Sequence, residues 1–409
     1  MRQFAPKPRW ASHASLALDN LRAVVILVVL AFHSMLAYVQ WVPAAGSGFS
    51  TPPYDWRSFP IIDAHRFFGF DLFCAWQDVY LMSLMFFLSG LFVWPSLVRK
   101  KHWAFLRDRV LRLGLPFTFG VAVIIPLAIY PVYSLTAANP SVPGYWHGLI
   151  ALPFWPNGPL WFIWQLLALN FVAAAVHFAA PGAIPALGRW SAAAAEAPVR
   201  YFGGLLGASA LAYVPLAVAF TPWAWSDFGF LAVQFCRPLH YAVYFFAGVG
   251  VGAAGVDRGL IASDGILMRN WAYALAAALV ALLVWMGLTG LSLRAGAPVG
   301  VAIAADLSFV PACAAGSFFL IAACLRFAAR YSRILGYLAA DAYGLYLVHY
   351  VFVVWLQFAL LGLPLAALLK APVVFVGTLL LSLVTTAAVR RIALGARLIG
   401  AAPPAAAAS

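Results

Sequence analysis

The chain has 409 residues, of which 65% are hydrophobic and only 9% are charged. Soluble domains carry about 25% charged residues, so the composition excludes an ordinary soluble protein and indicates a polytopic membrane protein. The formal net charge of +13 is also compatible with nucleic-acid binding. The cations, however, lie in short clusters between apolar segments, where they set membrane topology. We therefore expect a lipid bilayer as the partner and no nucleic acid.

Ten apolar segments have roughly the 20 residues that a helix needs to cross a bilayer. We predict an all-α polytopic membrane protein with about ten transmembrane helices, at residues 19–42, 77–98, 113–133, 159–180, 201–221, 238–256, 270–290, 298–325, 336–360 and 371–391. No cleavage site follows the first segment closely, so we expect it to be retained. Residues 1–18 then form an N-terminal segment, 19–391 the membrane domain, and 392–409 a disordered tail.

The basic residues predict the orientation of these spans. Nineteen of the 25 Lys and Arg residues lie on the side of the two termini, five lie on the other side, and Arg22 lies inside the first span. Connections rich in Lys and Arg remain in the cytoplasm. We therefore predict that both the N-terminal segment and the tail are cytoplasmic.

Two long connections lie on the side that we predict to be extracytoplasmic. Residues 43–76 contain several acidic residues among prolines, glycines and aromatics, and residues 134–158 contain Trp146, His147 and Trp155. Long ordered loops on one face are often functional. Acidic and aromatic residues together suit a sugar-like ligand, although anchoring at the membrane interface explains the Trp residues equally well.

The four cysteines show no spacing typical of a metal or redox site, and the histidines form no pair at ligand spacing. We expect Cys313 and Cys324 to pack inside the bundle. Cys74 and Cys236 both lie near the predicted outer face, where a disulfide between them is an alternative to two free thiols. We expect no metal cofactor.

The stretch LRAVVILVVLAFHS, residues 21–34, puts Arg22 and His33 into the first apolar span. Eleven positions are nearly three helical turns, so the two side chains share a face within roughly 20° and lie about 16 Å apart along the helix. We expect Arg22 near the cytoplasmic interface and His33 near mid-membrane. Arg22 alternatively snorkels or pairs with Asp19, and His33 alternatively is a packed neutral imidazole. The functional interpretation is a path from the cytoplasm to a general base.

Two further stretches have both a structural and a functional interpretation. FFLSGLF, residues 86–92, contains Ser89 and Gly90, which indicate either close helix packing or a direct role. FLRDRVLRLGLPF, residues 105–117, spaces Arg109 and Arg112 three apart just before an apolar span. They are either ordinary topology-setting charges or a platform for phosphate groups, which guanidinium groups bind well.

Four residues are candidates for substrate binding. Trp161 begins the fourth span in GPLWFIWQLL and is either a residue of the interfacial aromatic belt or a substrate contact. DAYGLYLVHY, residues 341–350, contributes Asp341, Tyr346 and His349. Ionisable side chains inside a membrane span are candidates for a functional site.

Six stretches, taken in order, resemble the integral-membrane acyltransferase family 3. They are LDNLRAVVILVVLAFH, FFLSGLF, RVLRLGLP, PLWF, FFAGVGVG and YGLYLVH, and they extend across residues 16–391. The chain looks most similar to the branch that contains the glucan-biosynthesis succinyltransferase. The resemblance implies that residues 19–391 form a ten-helix membrane acyltransferase domain in the bacterial inner membrane.

The resemblance also implies a reaction, in which an acetyl or succinyl group moves from cytoplasmic acyl-CoA to a hydroxyl of an extracytoplasmic glycan or glycolipid. His33 resembles the catalytic histidine, as general base or acyl carrier, and Arg22 resembles its partner in the motif. Arg22, Arg109, Arg112 and the Ser89–Gly90 motif resemble the residues that bind CoA. Many members carry an appended soluble domain that helps with the acceptor, whereas only a short tail follows the tenth predicted span here. We therefore expect loops, a second copy of the chain or a glycan-biosynthesis partner protein to handle the acceptor here.

A transporter or flippase that exports a glycan or an acylated lipid is the alternative. Ten helices with charges inside the membrane fit that class equally well. We find no internal repeat of the kind that is typical of transporters. A transporter also explains less well why an Arg-x10-His pair occurs together with a cytoplasmic Arg-x-x-Arg platform.

Overall fold

The computed structural model describes residues 12–42, 48–262 and 264–399, which are almost entirely helical. The α-helices are α1 (His13–Met35), α2 (Phe68–Gly90), α3 (Val93–Lys100), α4 (His102–Arg109), α5 (Leu115–Phe119), α6 (Ile125–Thr136), α7 (Val142–Ile150), α8 (Trp161–Ala179), α9 (Ala183–Ala192), α10 (Pro198–Phe220), α11 (Pro238–Ala254), α12 (Ile266–Arg269), α13 (Trp271–Ser292), α14 (Val299–Phe327), α15 (Arg333–Leu360), α16 (Ala367–Val389) and α17 (Ala393–Leu398). Two short strands, β1 (Trp225–Phe228) and β2 (Leu231–Gln234), form an antiparallel hairpin in which Trp225 is paired with Gln234. The predicted all-α membrane fold is confirmed.

The number of membrane spans agrees with the sequence prediction. Nine helices in the described part of the chain are long and apolar enough to cross a bilayer. A tenth crossing results if α11 is counted together with Gly259–Arg269, from which it is bent by 83°. With 17 residues, α11 alone lies at the lower limit of the length that spans a bilayer.

The first span begins earlier and ends earlier than predicted. Ser12 caps α1 by accepting a hydrogen bond from the amide of Ser15 at 3.1 Å, so the helix begins at His13, before its apolar segment. It ends at Met35 and continues only as a 3-10 turn to Tyr38. Residues 13–18, which we assigned to the N-terminal segment, therefore belong to α1. His33 lies in the last turn of α1, and its expected position near mid-membrane stays a prediction.

The second span also begins earlier than predicted, at Phe68 instead of residue 77. Asp71 lies in its first turn, where carboxylates stabilise a helix N-terminus. Its carboxylate also accepts hydrogen bonds from the backbone amides of Gln40 and Trp41, both at 2.8 Å. The first outer connection is therefore shorter than expected, because Asp71 lowers the hydropathy of this first turn although the turn is helical.

The third span contains two π-helical segments, Val110–Gly114 and Gly120–Ile124. Pro116 and Pro126 follow these segments by two residues each. Because a proline has no N–H to donate to the carbonyl four residues earlier, the regular hydrogen-bond ladder is interrupted there. Arg112 lies inside the first segment, and π segments occur frequently at functional sites.

The helix that carries His33 lies inside the bundle, because α1 packs against α2, α14, α15 and α16. On the far side of α2, glycines bring its backbone against that of α11. A Cβ atom on Gly90 would collide with the carbonyl oxygen of Phe245, and one on Gly248 with that of Phe87. Small residues permit such close helix packing in membranes.

A buried ion pair attaches the first outer connection to the bundle. Nζ of Lys370, in the first turn of α16, lies 2.7 Å from Oδ2 of Asp63, and both side chains are buried. The amide of Asp63 also donates a hydrogen bond to the carbonyl of Ala37 at 2.9 Å. This connection therefore holds the end of α1 and the beginning of α16 together.

All four cysteines are free and buried. Cys313 and Cys324 pack in α14, as predicted. The alternative of a disulfide between Cys74 and Cys236 is wrong. Cys236 is 0% exposed between β2 and α11, and burial raises the pKa of its thiol.

The predicted tail is partly helical. Residues Ala393–Leu398 form α17, which packs against α5, whereas we expected disorder from residue 392 onwards. Residues 400–409 of the tail and residues 1–11 of the N-terminal segment lie outside the described residues.

Candidate active site

The ring of His33 is oriented by the preceding turn of its own helix. Nδ1 lies 2.9 Å from the carbonyl oxygen of Val29. Because a carbonyl only accepts hydrogen bonds, Nδ1 carries the proton of the neutral imidazole and Nε2 presents a lone pair. The residue as a whole is half-buried.

His349 on α15 lies next to His33, with ring centroids 5.0 Å apart. Nδ1 of His349 lies 2.7 Å from the carbonyl oxygen of Tyr346, so its Nε2 also presents a lone pair. His349 is fully buried, and its Nε2 has no hydrogen-bond partner among the described residues. Leaving a buried acceptor without a partner is unfavourable, so a hydroxyl donor would be stabilised at this point.

Tyr350 and Gln357, which the sequence interpretation did not select, complete the surroundings of His33. The ring of Tyr350 lies 5.7 Å from that of His33, centroid to centroid. Nε2 of Gln357 donates a hydrogen bond to the carbonyl oxygen of His33 at 2.8 Å. Both residues lie on α15 after His349, so the polar residues of the helix that carries His349 are the signal that would have found them.

The structure does not bring Arg22 to His33. The Arg22 side chain is 45% exposed, and its Nη1 lies 3.9 Å from Oδ1 of Asp19, which is the pairing given as the structural alternative. Ile26 and Val29 occupy the stripe between Arg22 and His33, and they are 4% and 3% exposed. Neighbouring helices therefore cover the face that we expected to line a path from the cytoplasm.

Tyr346 and Trp161 both lie near the segment that precedes α8. The hydroxyl of the buried Tyr346 donates a hydrogen bond to the carbonyl of Pro159, and its ring centroid lies 5.8 Å from that of His349. Trp161 stacks on Tyr241 with ring centroids 5.7 Å apart. Tyr346 thus contacts His349 of the histidine pair directly, whereas the ring contacts of Trp161 are with Tyr241 and Trp225.

Asp341 does not join the histidine pair. It precedes His349 by eight residues, which is about 12 Å along α15. Its carboxylate is 1% exposed and forms an ion pair with Arg390 at the end of α16. Asp341 therefore connects α15 with α16 at the end of the bundle where α15 begins.

Ser89 and Gly90 make local contacts in α2. The hydroxyl of Ser89 donates to the carbonyl of Met85 at 2.8 Å, and Gly90 faces the backbone of α11. These contacts agree with the helix-packing interpretation of the pair. A role in binding CoA stays a prediction.

Arg109 and Arg112 line a cavity of about 330 Å³ beside α3 and α4, which we call the basic cavity. Arg99 and Lys100 line it as well. Asp108, whose carboxylate forms an ion pair with Lys100, is the one acidic residue among its described lining residues. Four cations and one carboxylate suit an anionic ligand such as a phosphate group. The sequence interpretation treated Arg99 and Lys100 as topology-setting charges. Their closeness in sequence to Arg109 is the signal that could have added them to the predicted phosphate platform.

The polar side chains around His33 are imidazole, hydroxyl and amide groups. Within the residues that the structure describes, no three His, Cys, Asp or Glu side chains are arranged to hold a metal ion.

A comparison with protein families matches residues 15–387 to a family model described as an acyltransferase domain. Comparisons with curated proteins and with solved structures found no match. The matched residues include both members of the histidine pair and the arginines of the basic cavity. A match over so much of the chain establishes the family. The chain belongs to the acyltransferase family 3, and it is a multi-pass membrane acyltransferase.

Proposed function

We propose that this protein transfers an acyl group, acetyl or succinyl, from cytoplasmic acyl-CoA to a hydroxyl of an extracytoplasmic glycan or glycolipid. The observation that carries the proposal is the pair of His33 and His349, whose ring centroids lie 5.0 Å apart. The backbone bonds at both Nδ1 atoms leave both Nε2 atoms free to accept a proton. A neutral imidazole is the side chain best suited to remove a hydroxyl proton near neutral pH.

The basic cavity supports acyl-CoA as the donor. Its four cations match the phosphate groups of CoA, which guanidinium groups bind through paired hydrogen bonds. It lies on the side that the distribution of basic residues predicts to be cytoplasmic. Arg22, exposed on the same predicted side of α1, and Ser89 and Gly90, at the corresponding end of α2, remain candidates for contacts to this donor.

His33 acts at the acceptor hydroxyl in this proposal. Nε2 takes the hydroxyl proton while the oxygen bonds to the thioester carbon, and the imidazolium returns that proton to the sulfur as the carbon–sulfur bond breaks. Alternatively, His33 Nε2 carries the acyl group itself before the hydroxyl receives it. In both cases Nε2 of His349, which has no partner among the described residues, can accept a hydrogen bond from the acceptor hydroxyl. Acyl-CoA supplies the activated carbonyl.

The covered face of α1 adds a requirement to the proposal. Ile26 and Val29 are shielded by neighbouring helices. The arm of acyl-CoA that carries the acyl group therefore finds no exposed groove along this stripe of α1. We propose that helices beside α1 separate when the donor binds. Tyr346 and Trp161, near the segment before α8, are the candidates for contacts to the acceptor on the opposite side.

The test is acyl transfer by the purified protein in proteoliposomes, measured with radiolabelled acetyl-CoA and succinyl-CoA and by release of free CoA. His33→Ala should lower turnover by about 10²–10⁴-fold, the usual contribution of a general base. His13→Ala, an exposed histidine at the beginning of the same helix, is the matched control and should leave turnover unchanged. Normal turnover by His33→Ala contradicts the assignment. Glycan export without CoA release supports the transporter alternative instead.

A second measurement identifies the acyl group and the acceptor. Mass spectrometry of glycans exported by bacterial cells with and without the gene gives the mass added per sugar, which distinguishes acetyl from succinyl. We expect the fraction that contains the protein to be the inner membrane. Glycans of unchanged mass in the deletion strain contradict the proposed acceptor.

A further inference from the structure

A second cavity, of about 430 Å³, opens among the connections that we predict to be extracytoplasmic. We call it the outer cavity. The residues that matter for its chemistry are Tyr54, Asp55, Arg57, Trp223, Trp225 and Asp227. Three segments far apart in sequence contribute to it, namely the first outer connection, the turn before α8 and the hairpin of β1 and β2. Its volume lies within the range of about 300–1,000 Å³ that is usual for small-ligand sites.

An ion pair closes one wall of the outer cavity. Nη1 and Nη2 of Arg57 lie 2.8 and 2.7 Å from the two carboxylate oxygens of Asp227. The guanidinium also lies 4.1 Å from the ring centroid of Phe154 and 5.9 Å from that of Trp225. The hydrogen-bonding and stacking capacity of Arg57 is therefore largely used within the protein.

The charge of the outer cavity excludes an anionic ligand. Arg57 is the one cation among the described lining residues, and Asp227 neutralises it. Asp55 then leaves the cavity with one formal negative charge, so it repels phosphates and carboxylates. Phe154 and Trp225 already face the guanidinium of Arg57. A cationic ligand would therefore have to bind at Trp223 and Asp55, where it competes with a neutral ligand.

The remaining groups suit a neutral ring that carries hydroxyls. Trp223 is 45% exposed and offers an apolar face with a polar edge. Asp55 offers carboxylate oxygens that accept hydrogen bonds from hydroxyl groups. An apolar surface next to hydrogen-bond acceptors, with no cation free, corresponds to the face and the rim of a sugar ring.

The outer cavity is joined to the histidine pair by the segment 153–161. Phe154, in this segment, lines the cavity, and Trp161 lies 6.1 Å from Trp225, centroid to centroid. A Cβ atom on Gly158 would lie 3.1 Å from the ring of Tyr350, and Tyr350 contacts His33. The segment 153–161 thus extends from the outer cavity to the ring of Tyr350 beside His33.

We infer that the outer cavity binds an uncharged sugar residue of the acceptor glycan and that Trp223 and Asp55 determine this preference. The inference rests on the proposed function for the identity of the acceptor. It goes beyond that function by locating a binding site, by excluding charged sugars from it and by naming two residues that determine specificity.

The test measures binding of defined oligosaccharides to the full-length protein in lipid nanodiscs by microscale thermophoresis. The probes are hexasaccharides of glucose, mannose and galactose, a hexamer of galacturonic acid as the anion, and choline as the cation. At least one neutral hexasaccharide should bind, and Trp223→Ala should weaken its binding about tenfold. Trp41→Ala, an exposed tryptophan on the same predicted side that does not line the cavity, should leave binding unchanged.

The role of the Asp55 charge is tested by a separate variant. Asp55→Asn should improve binding of the galacturonic acid hexamer relative to the neutral hexasaccharide, because it removes the negative charge. Asp257→Asn, an exposed aspartate on the opposite predicted side, should not change this ratio. The inference is overturned if no neutral hexasaccharide binds, if the wild type prefers choline or the anion, or if Trp41→Ala and Trp223→Ala weaken binding equally.

The outcome separates this inference from the proposed function. Oligosaccharide binding by His33→Ala protein should equal that of the wild type, so the site is testable even if His33 has no role in transfer. Conversely, CoA release that depends on His33 together with an absence of oligosaccharide binding overturns the outer-cavity inference alone.

Discussion

Two hydrogen bonds hold His33, one at its ring and one at its own backbone carbonyl. Its Nδ1 atom donates a hydrogen bond to the carbonyl of Val29. Its own carbonyl accepts a hydrogen bond from the side chain of Gln357. The first contact determines which ring nitrogen carries the lone pair. The second holds the last turn of α1, where carbonyl groups have no partner further along the helix, against α15. The orientation of the proposed base therefore depends on two helices.

Gln357→Leu should disturb this orientation without touching the reactants. The variant leaves the His33 carbonyl without its donor inside the bundle, which costs about 1–3 kcal/mol. We expect a lower melting temperature in detergent and a lower kcat with an unchanged KM for acyl-CoA. The control is the double variant with His33→Ala, which should be no slower than His33→Ala alone. Additive losses would show that Gln357 acts independently of His33.

The sequence identified the two histidines but not their contact. Each is an ionisable residue inside an apolar span, which is sufficient to make it a candidate. Their neighbourhood depends on which helices pack together, and single-sequence spacing contains no information on helices that are 300 residues apart. Arg22 shows the reverse case. Helical periodicity correctly puts it on the stripe of His33, but only the packing of the bundle shows that this stripe is covered.

At the scale of elements, the apolar segments predicted the spans better than their ends. Hydropathy detects the part of a helix that lies in lipid, so it misses polar turns such as the one at the beginning of α2. At the beginning of α1, for example, Ser12 caps the helix by accepting a hydrogen bond from the amide of Ser15. A hydropathy pattern also does not predict the bend after α11 or the short hairpin of β1 and β2.

The crossing of α2 and α11 predicts a large difference between two glycine substitutions. Gly90→Ala should destabilise the protein by about 1–3 kcal/mol, the usual effect of overpacking, because its Cβ would collide with the carbonyl of Phe245. Gly207→Ala on α10 has no atom within 4 Å of the added Cβ and should be neutral or stabilising. Thermal unfolding in detergent measures both.

The same pair of variants distinguishes packing from a role in CoA binding. If Gly90→Ala keeps wild-type stability but loses acyl-CoA binding, the resemblance-based assignment of Gly90 to the donor is supported. If stability falls and the remaining folded protein binds acyl-CoA normally, Gly90 acts through helix packing alone.

At the scale of the whole molecule, the two cavities differ in charge in the way that two different substrates require. The basic cavity has four cations and one carboxylate, whereas the outer cavity has one cation and two carboxylates. The histidine pair lies on α1 and α15, which contribute none of the described residues that line either cavity. The sides of the membrane on which the basic residues and the acidic and aromatic residues lie stay a sequence prediction, which follows from the charge distribution. The cavities themselves required the folded arrangement of distant segments.

The buried pair of Asp63 and Lys370 should be the most sensitive point at which the outer connection is attached. Lys370→Met leaves a buried carboxylate without its cation and should destabilise the protein by about 3–5 kcal/mol. The double variant with Asp63→Leu should be more stable than either single variant, because it removes both charges. Thermal unfolding of the three variants gives the coupling. A double variant as unstable as the sum of the single ones contradicts a direct pair.

The orientation in the membrane is the prediction on which the assignment of both cavities depends. Green fluorescent protein fused after residue 409 should fluoresce, and alkaline phosphatase at the same place should be inactive, because we predict a cytoplasmic C-terminus. Alkaline phosphatase inserted after Gly296, between α13 and α14, should be active as the control. The opposite pattern would exchange the sides of donor and acceptor.

The two π segments of the third span have a consequence for chain length. A turn that bonds from residue i to i+5 holds about one residue more than an α-helical turn, so the loss of one residue within a segment would return it to the α-helical pitch, although Pro116 and Pro126 would still donate no hydrogen bond. The flanking turns then keep their facing directions. A loss anywhere else in the span would rotate everything beyond it by about 100°. The span that carries Arg109 and Arg112 is therefore able to vary in length without turning its arginines away from the basic cavity.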